Sequence, residues 1–146
     1  MLERLFYITY FCVLFYIVWV MRVGPYEMIL INLIPFHTIK LFINALLHGY
    51  APLYIIAANL LGNIILTFPI GMLIARLFGF IKMHNILFLA FYLPMHIETM
   101  QLFLHVIGYS TRSVDIDDVI LNGCGIIIGY YVMFFYKKRQ AYPRPS

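Results

Sequence analysis

At 146 residues the chain is long enough for one domain and no more. Hydrophobic residues make up 64% of it and charged residues 11%. Soluble domains have roughly 45–50% and about 25%, so this chain's solvent is mostly lipid. The net charge of +4 comes from basic residues at segment ends, not from a stripe on a soluble face, which argues against a nucleic-acid partner.

In chain order, residues 5–21, "LFYITYFCVLFYIVWVM", are uncharged and follow Arg4. No A-x-A-like cleavage site comes next, so the reading is a retained anchor rather than a signal peptide. Cys12 in this run and Cys124 in the last are expected to be small packing residues. "HTIKLFINALLHG" places His37, Lys40, Asn44 and His48 on one helical stripe, with Leu41, Phe42, Leu46 and Leu47 facing elsewhere. That stretch is too short to cross ~30 Å of hydrocarbon. It is expected to be an amphipathic helix that lies at the interface or dips into it, closed by Gly49. Residues 53–75, 86–107 and 116–136 are each long enough to span, and 137–146 form a basic tail. The expected fold is all-α. It is a polytopic membrane helical bundle of four transmembrane helices, with an interfacial or re-entrant amphipathic helix between the first and second. All of it forms a single domain, 1–146.

Four spans put both termini on one side. That side holds Arg4, Arg76, Lys82, Lys137, Lys138, Arg139 and Arg144, while Arg22, Lys40 and Arg112 lie on the other. The positive-inside rule then places both termini in the cytoplasm of a multi-pass cell-membrane protein. With that orientation, Asn59 and Asn63 fall in the outer half to middle of the second span. Glu98, Gln101 and His105 fall in the outer half of the third, and Asp115, Asp118 and Asn122 enter the fourth from the same surface. Glu98, Gln101 and His105 share a stripe with Pro94; Asp115, Asp118, Asn122, Gly125 and Gly129 share another. A carboxylate in hydrocarbon must find a partner, and Arg112 and Gln101 are the expected ones. Gly125 and Gly129 form G-x-x-x-G, and Gly62 lies beside the asparagines, so all three are expected to let helices approach closely. Pro69 and Gly71 suggest a bend in the inner half of the second span.

Each residue also has a plain structural reading. Asp115 is well placed as an N-cap, with Asp117 and Asp118 in the first turn favouring the helix dipole. Asp117 points away from the Asp118–Asn122 face. Arg112 suits a snorkelling interfacial residue, and the asparagines suit interhelical glue. No H-x-x-x-H or H-E-x-x-H spacing supports a metal site on His105 and Glu98; no metal and no cofactor is expected.

Four segments together resemble the VanZ-like family of small bacterial membrane proteins, whose namesake is associated with teicoplanin resistance. They are "NLIPFHTI", with Asn32, Pro35 and Phe36; "NLLGNIILTFPIG", with Asn59, Gly62, Asn63, Phe68, Pro69 and Gly71; "ETMQ", with Glu98 and Gln101; and "RSVDIDDVILNGCGIIIGY", with Arg112, Asp115, Asp117, Asp118, Asn122, Gly125 and Gly129. Gly123 departs from the family, which often has threonine there. The resemblance covers about residues 5 to 136. It implies an integral membrane protein of the bacterial cell envelope with a role in lowering susceptibility to glycopeptide antibiotics.

Two functions follow from the outward-facing polar residues. In the first, Asn59, Asn63, Gln101, Arg112 and Asn122 bind an envelope component such as a lipid-linked cell-wall precursor at the outer leaflet. Glu98, Asp115 and Asp118 are then the acid–base candidates; with nucleophile and leaving group unidentified, no reaction is assigned. In the second, the cluster is internal glue in a helical bundle that assembles with a partner or with itself.

Overall fold

A computed structural model describes residues 2–21, 31–109 and 113–141. Helix α1 (Leu2–Phe15) passes directly into a π-helix at Tyr16–Val20. A short helix α2 (His37–Leu47) precedes three long ones: α3 (Leu53–Phe78), α4 (Met83–Val106) and α5 (Ile116–Ala141). These three are long and apolar enough to cross a membrane; α3 and α5 contain the second and fourth expected spans, and α4 the third up to its last residue, Ile107, which is the C-cap. At ~1.5 Å per residue they reach roughly 36–39 Å, against ~30 Å of hydrocarbon. Two residues of strand, β1 (Ile31–Asn32), pair in parallel with β2 (Val114–Asp115). The sequence gives no sign of this bridge.

Helix α5 lies between α3 and α4, and its glycines set the spacing. A Cβ at Gly125 would meet the Ile64 carbonyl and the Thr67 hydroxyl, and one at Gly129 would meet the Phe68 carbonyl. Gly71 answers from α3, where a Cβ would meet the Ile126 carbonyl and the Tyr130 amide. Here two backbones touch, the geometry small residues permit in membrane helices. Gly62 does not take part: a Cβ added there meets nothing within 4 Å. It was expected as a packing residue, but it sits on a part of α3 turned away from α5.

The prolines of α3 and α4 are absorbed within the helices. Pro94 has no N–H for the Ala90 carbonyl one turn earlier. Gly123 packs against that same oxygen, where a Cβ would come within 2.6 Å. Glycine at this position is what lets α5 lie on the carbonyl that Pro94 leaves open. Beside Pro69, the Tyr10 hydroxyl donates to the Leu66 carbonyl at 2.6 Å, which ties α1 to α3.

At one end of the bundle, Tyr130 holds the α3–α4 turn. Its hydroxyl donates to the Gly79 carbonyl at 3.1 Å and accepts from the Ile81 N–H at 2.9 Å. The Lys137 ammonium donates to the Arg76 carbonyl at 3.2 Å. The apolar core of Ile74, Ala75, Ile86, Ala90, Ile126 and Tyr130 sits at this end. Large apolar side chains such as Phe88, Phe91, Ile65 and Phe135 point outward, as expected where the surroundings are hydrocarbon. Cys12 and Cys124 share that outward position and are not in the core.

Candidate functional site

The opposite end is where the acids converge. Helix α5 starts low: the Asp115 N–H donates to Glu98 Oε2 of α4 at 3.1 Å, and the Asn63 amide of α3 donates to Asp118 Oδ1. Helix α4 runs on from Glu98 to Val106, about 12 Å further, and α3 begins at Leu53, about 15 Å before Asn63. The first turn of α5 is therefore recessed well below the ends of its neighbours. Ionic groups at such depth cost several kcal/mol unless they are paired, and here backbone and side-chain donors are paired with them.

Asp115 is the N-cap of α5, since its Oδ1 accepts the Asp117 N–H at 2.9 Å. The same carboxylate takes the Asn32 amide at 2.9 Å and the Thr38 hydroxyl at 2.6 Å. Asp117 has no exposed surface. It accepts from the Phe36 N–H and from the Ile39 N–H at 3.0 Å. Phe36, the N-cap position of α2, has a left-handed backbone (φ 64°) and no side chain able to cap. An aspartate on α5 supplies the missing acceptor. Helix α2 thus begins inside the recess, anchored by Asp115 and Asp117, and ends five residues before α3. Asp117 is expected from the sequence to point away from the Asp118–Asn122 face. Beyond the expected first-turn position, it caps a second helix.

Several expected partners differ. The Gln101 amide, expected to serve the carboxylates, donates to the Val18 carbonyl of the π-helix at 3.1 Å and joins α4 to the first apolar helix. Asn59 donates to the Ile55 carbonyl of its own helix at 2.8 Å, so this bond does not join the cluster. Asn122 is buried, and its side-chain oxygen has no hydrogen-bond donor among the described residues. The Thr67 hydroxyl, absent from the sequence reading, donates to the Asn122 backbone carbonyl at 2.7 Å and links α3 to α5 one turn below Asn63. Its signal was spacing: Thr67 follows Asn63 by one helical turn. Arg112 lies outside the described residues. Among the described residues no group of three or more His, Cys, Asp or Glu is placed to hold a metal.

The fold and the recess define a helical membrane protein with acids and amides gathered at one end of its long helices. A sequence model of the VanZ/LLP1 family matches residues 6–137, most of the chain, and the protein belongs to that family. No curated protein and no solved structure gives a significant match.

Proposed function

We propose that the protein binds an envelope component at the outer leaflet through its recessed polar cluster, and that this binding lowers glycopeptide (teicoplanin) susceptibility. One observation carries the reading: below the helix ends, polar side chains of three helices gather along the first turns of α5, Glu98 at Asp115, Asn63 at Asp118 and buried Asn122 one turn further in. Glu98, Asp115 and Asp118 are the acid–base candidates of this reading, and all three carboxylates take part in the hydrogen bonds that join the segments. Arg112, close in sequence to Asp115, is the candidate cation for a phosphate or peptide carboxylate. The first apolar helix, Leu2 to Val20, serves as the fourth span, and α2 is re-entrant, leaving the recess toward the outer face. Both termini are cytoplasmic.

The test is teicoplanin susceptibility of a glycopeptide-sensitive bacterial host expressing wild type, Glu98→Gln or Asp118→Asn. Loss of protection by well-folded variants supports the site; wild-type protection from both overturns it. A second reading is favoured by the bonds themselves. Asn63–Asp118, Gln101–Val18 and Thr67–Asn122 all join different segments, as internal glue would. On that reading the same substitutions lower thermal stability or alter oligomer state in detergent rather than abolishing a specific activity.

A further inference from the structure

Helix α2 is fastened to the bundle at one end. None of its residues is buried. Leu41, Ile43, Leu46 and Leu47 face outward, and Ile39, Phe42 and Ala45 are half-buried. Among the described residues, the hydrogen bonds that tie this segment to α5 all come from its start. Asn32 and Thr38 donate to the Asp115 carboxylate, the Phe36 and Ile39 N–H groups donate to Asp117, and β1 pairs with β2. The other end of α2 is closed by its own chain. The Tyr50 N–H donates to the Ala45 carbonyl at 2.9 Å and the Gly49 N–H to the Leu46 carbonyl at 3.3 Å, with Gly49 in the left-handed region at φ 67°. Helices α3 and α5, by contrast, touch backbone to backbone at Gly71, Gly125 and Gly129. A segment with so little buried apolar surface opens at a lower free energy than the core beside it.

We propose that residues 31–47 form a strap that detaches from α5 as a unit, turning about Gly49, while α3, α4 and α5 stay assembled, and that Glu98 controls the detachment through Asp115. The link is a chain of bonds. The Asp115 N–H donates to Glu98 Oε2 at 3.1 Å, so α4 sets where the Asp115 carboxylate stands, and that carboxylate holds Asn32 and Thr38. Detachment gives up little apolar burial, because the outward side chains of α2 keep their surroundings. It uncovers Asp115 and Asp117, which are buried where residues 32–39 lie on them. The strap is then a gate on the candidate site, a role that rests on the outer-leaflet reading of the polar cluster. A ligand that draws Glu98 from the Asp115 N–H loosens the strap, and the loosened strap opens Asp115 to that ligand. The detachment itself does not depend on that reading.

The test is hydrogen exchange of the full chain in phosphatidylglycerol–phosphatidylcholine nanodiscs, with Cys12 and Cys124 replaced by alanine. An 11-residue helix is marginal on its own, so detachment shows as exchange along all of α2. Ile31→Cys with Val114→Cys joins paired residues of β1 and β2, whose ~4.8 Å spacing suits a disulfide. With the pair reduced, amides 41–47 are expected to exchange about tenfold faster than amides 70–75 of α3. With the pair oxidised, the strap is tied at both ends and amides 41–47 slow by about tenfold. Equal exchange in the two states means that α2 frays in place, and overturns the strap. Glu98→Ala is expected to speed exchange at 41–47 by about fivefold, the effect of one lost hydrogen bond, with 70–75 unchanged; Glu98→Gln, which keeps an acceptor, falls between. No change at 41–47 in Glu98→Ala overturns control by Glu98, and equal acceleration at 70–75 overturns the separate unit. In cells, the oxidised pair is expected to abolish the teicoplanin protection that each single-cysteine variant retains, and protection by the oxidised pair overturns the gate. Protection that survives Glu98→Gln and Asp118→Asn overturns the site and its gate, but not the exchange behaviour.

Discussion

Asp117 accepts the backbone N–H of Ile39, 78 residues earlier in the chain, at 3.0 Å and so caps the start of α2. Its other oxygen takes the Phe36 N–H. Removing the carboxylate leaves two recessed donors without acceptors, at about 1–3 kcal/mol each. Asp117→Ala is expected to lower the melting temperature in detergent and to speed amide exchange at residues 36–39 in particular. Asp117→Asn, which keeps one acceptor, falls between. Exchange at 36–39 that matches wild type in Asp117→Ala would remove the remote cap from the account.

The glycines predict opposite signs within one helix. Gly62→Ala enters open space and gains the helix preference of alanine, so it is expected to raise stability by about 0.5–1 kcal/mol. Gly71→Ala puts a methyl group into the Ile126 backbone and forces α3 from α5, costing about 1–3 kcal/mol. Thermal melts of the two variants settle the contrast; equal effects would mean that α3 and α5 do not meet backbone to backbone.

How far the sequence could anticipate this follows from what each signal reports. The long runs were legible because hydrocarbon demands uninterrupted apolar length, and α3, α4 and α5 meet that demand. The stripe of Asp115, Asp118 and Asn122 was legible because 3.6-residue periodicity fixes which residues share a face. Periodicity gives a direction but not what lies there. Asp117 faces a segment brought back by chain folding, and no local pattern encodes the Asn32–Asp115 pairing across 83 residues. G-x-x-x-G spacing marked Gly125 and Gly129 but not Gly123, whose need arises from Pro94 on another helix. Gln101 looked like a partner for acids because it shares a stripe with Glu98. The π-helix, whose Val18 carbonyl takes its amide instead, has no such signature.

Asn63 and Asp118 face each other across α3 and α5. A double-mutant cycle with Asn63→Ala and Asp118→Ala should show a coupling between the membrane-protein average of ~0.6 kcal/mol and the observed maximum of ~1.7 kcal/mol. The acceptor is a carboxylate, which favours the upper part of that range. Additive effects would mean that each residue acts through other contacts.

The far end offers a control for any functional assay. Tyr130→Phe removes both bonds of its hydroxyl, to Gly79 and from Ile81, and leaves the ring in the core. It is expected to cost about 1–2 kcal/mol in a thermal melt, with no specific loss of protection in a host where the variant is expressed at wild-type level. If protection falls selectively, the α3–α4 turn belongs to the working part of the protein.

The proposed orientation is open to a direct test, because charge is segregated along the bundle. Arg76 and Lys137 meet at the Tyr130 end, while Asp115, Asp117 and Asp118 gather at the other. By the positive-inside rule the basic end is expected to face the cytoplasm. Tyr50 in the α2–α3 turn and Lys82 in the α3–α4 turn are both exposed. On a background with Cys12 and Cys124 replaced by alanine, Tyr50→Cys is expected to react with a membrane-impermeant maleimide in intact cells. Lys82→Cys is expected to react only after permeabilisation. The reverse pattern would place the recess in the cytoplasmic half and remove the outer-leaflet reading with it.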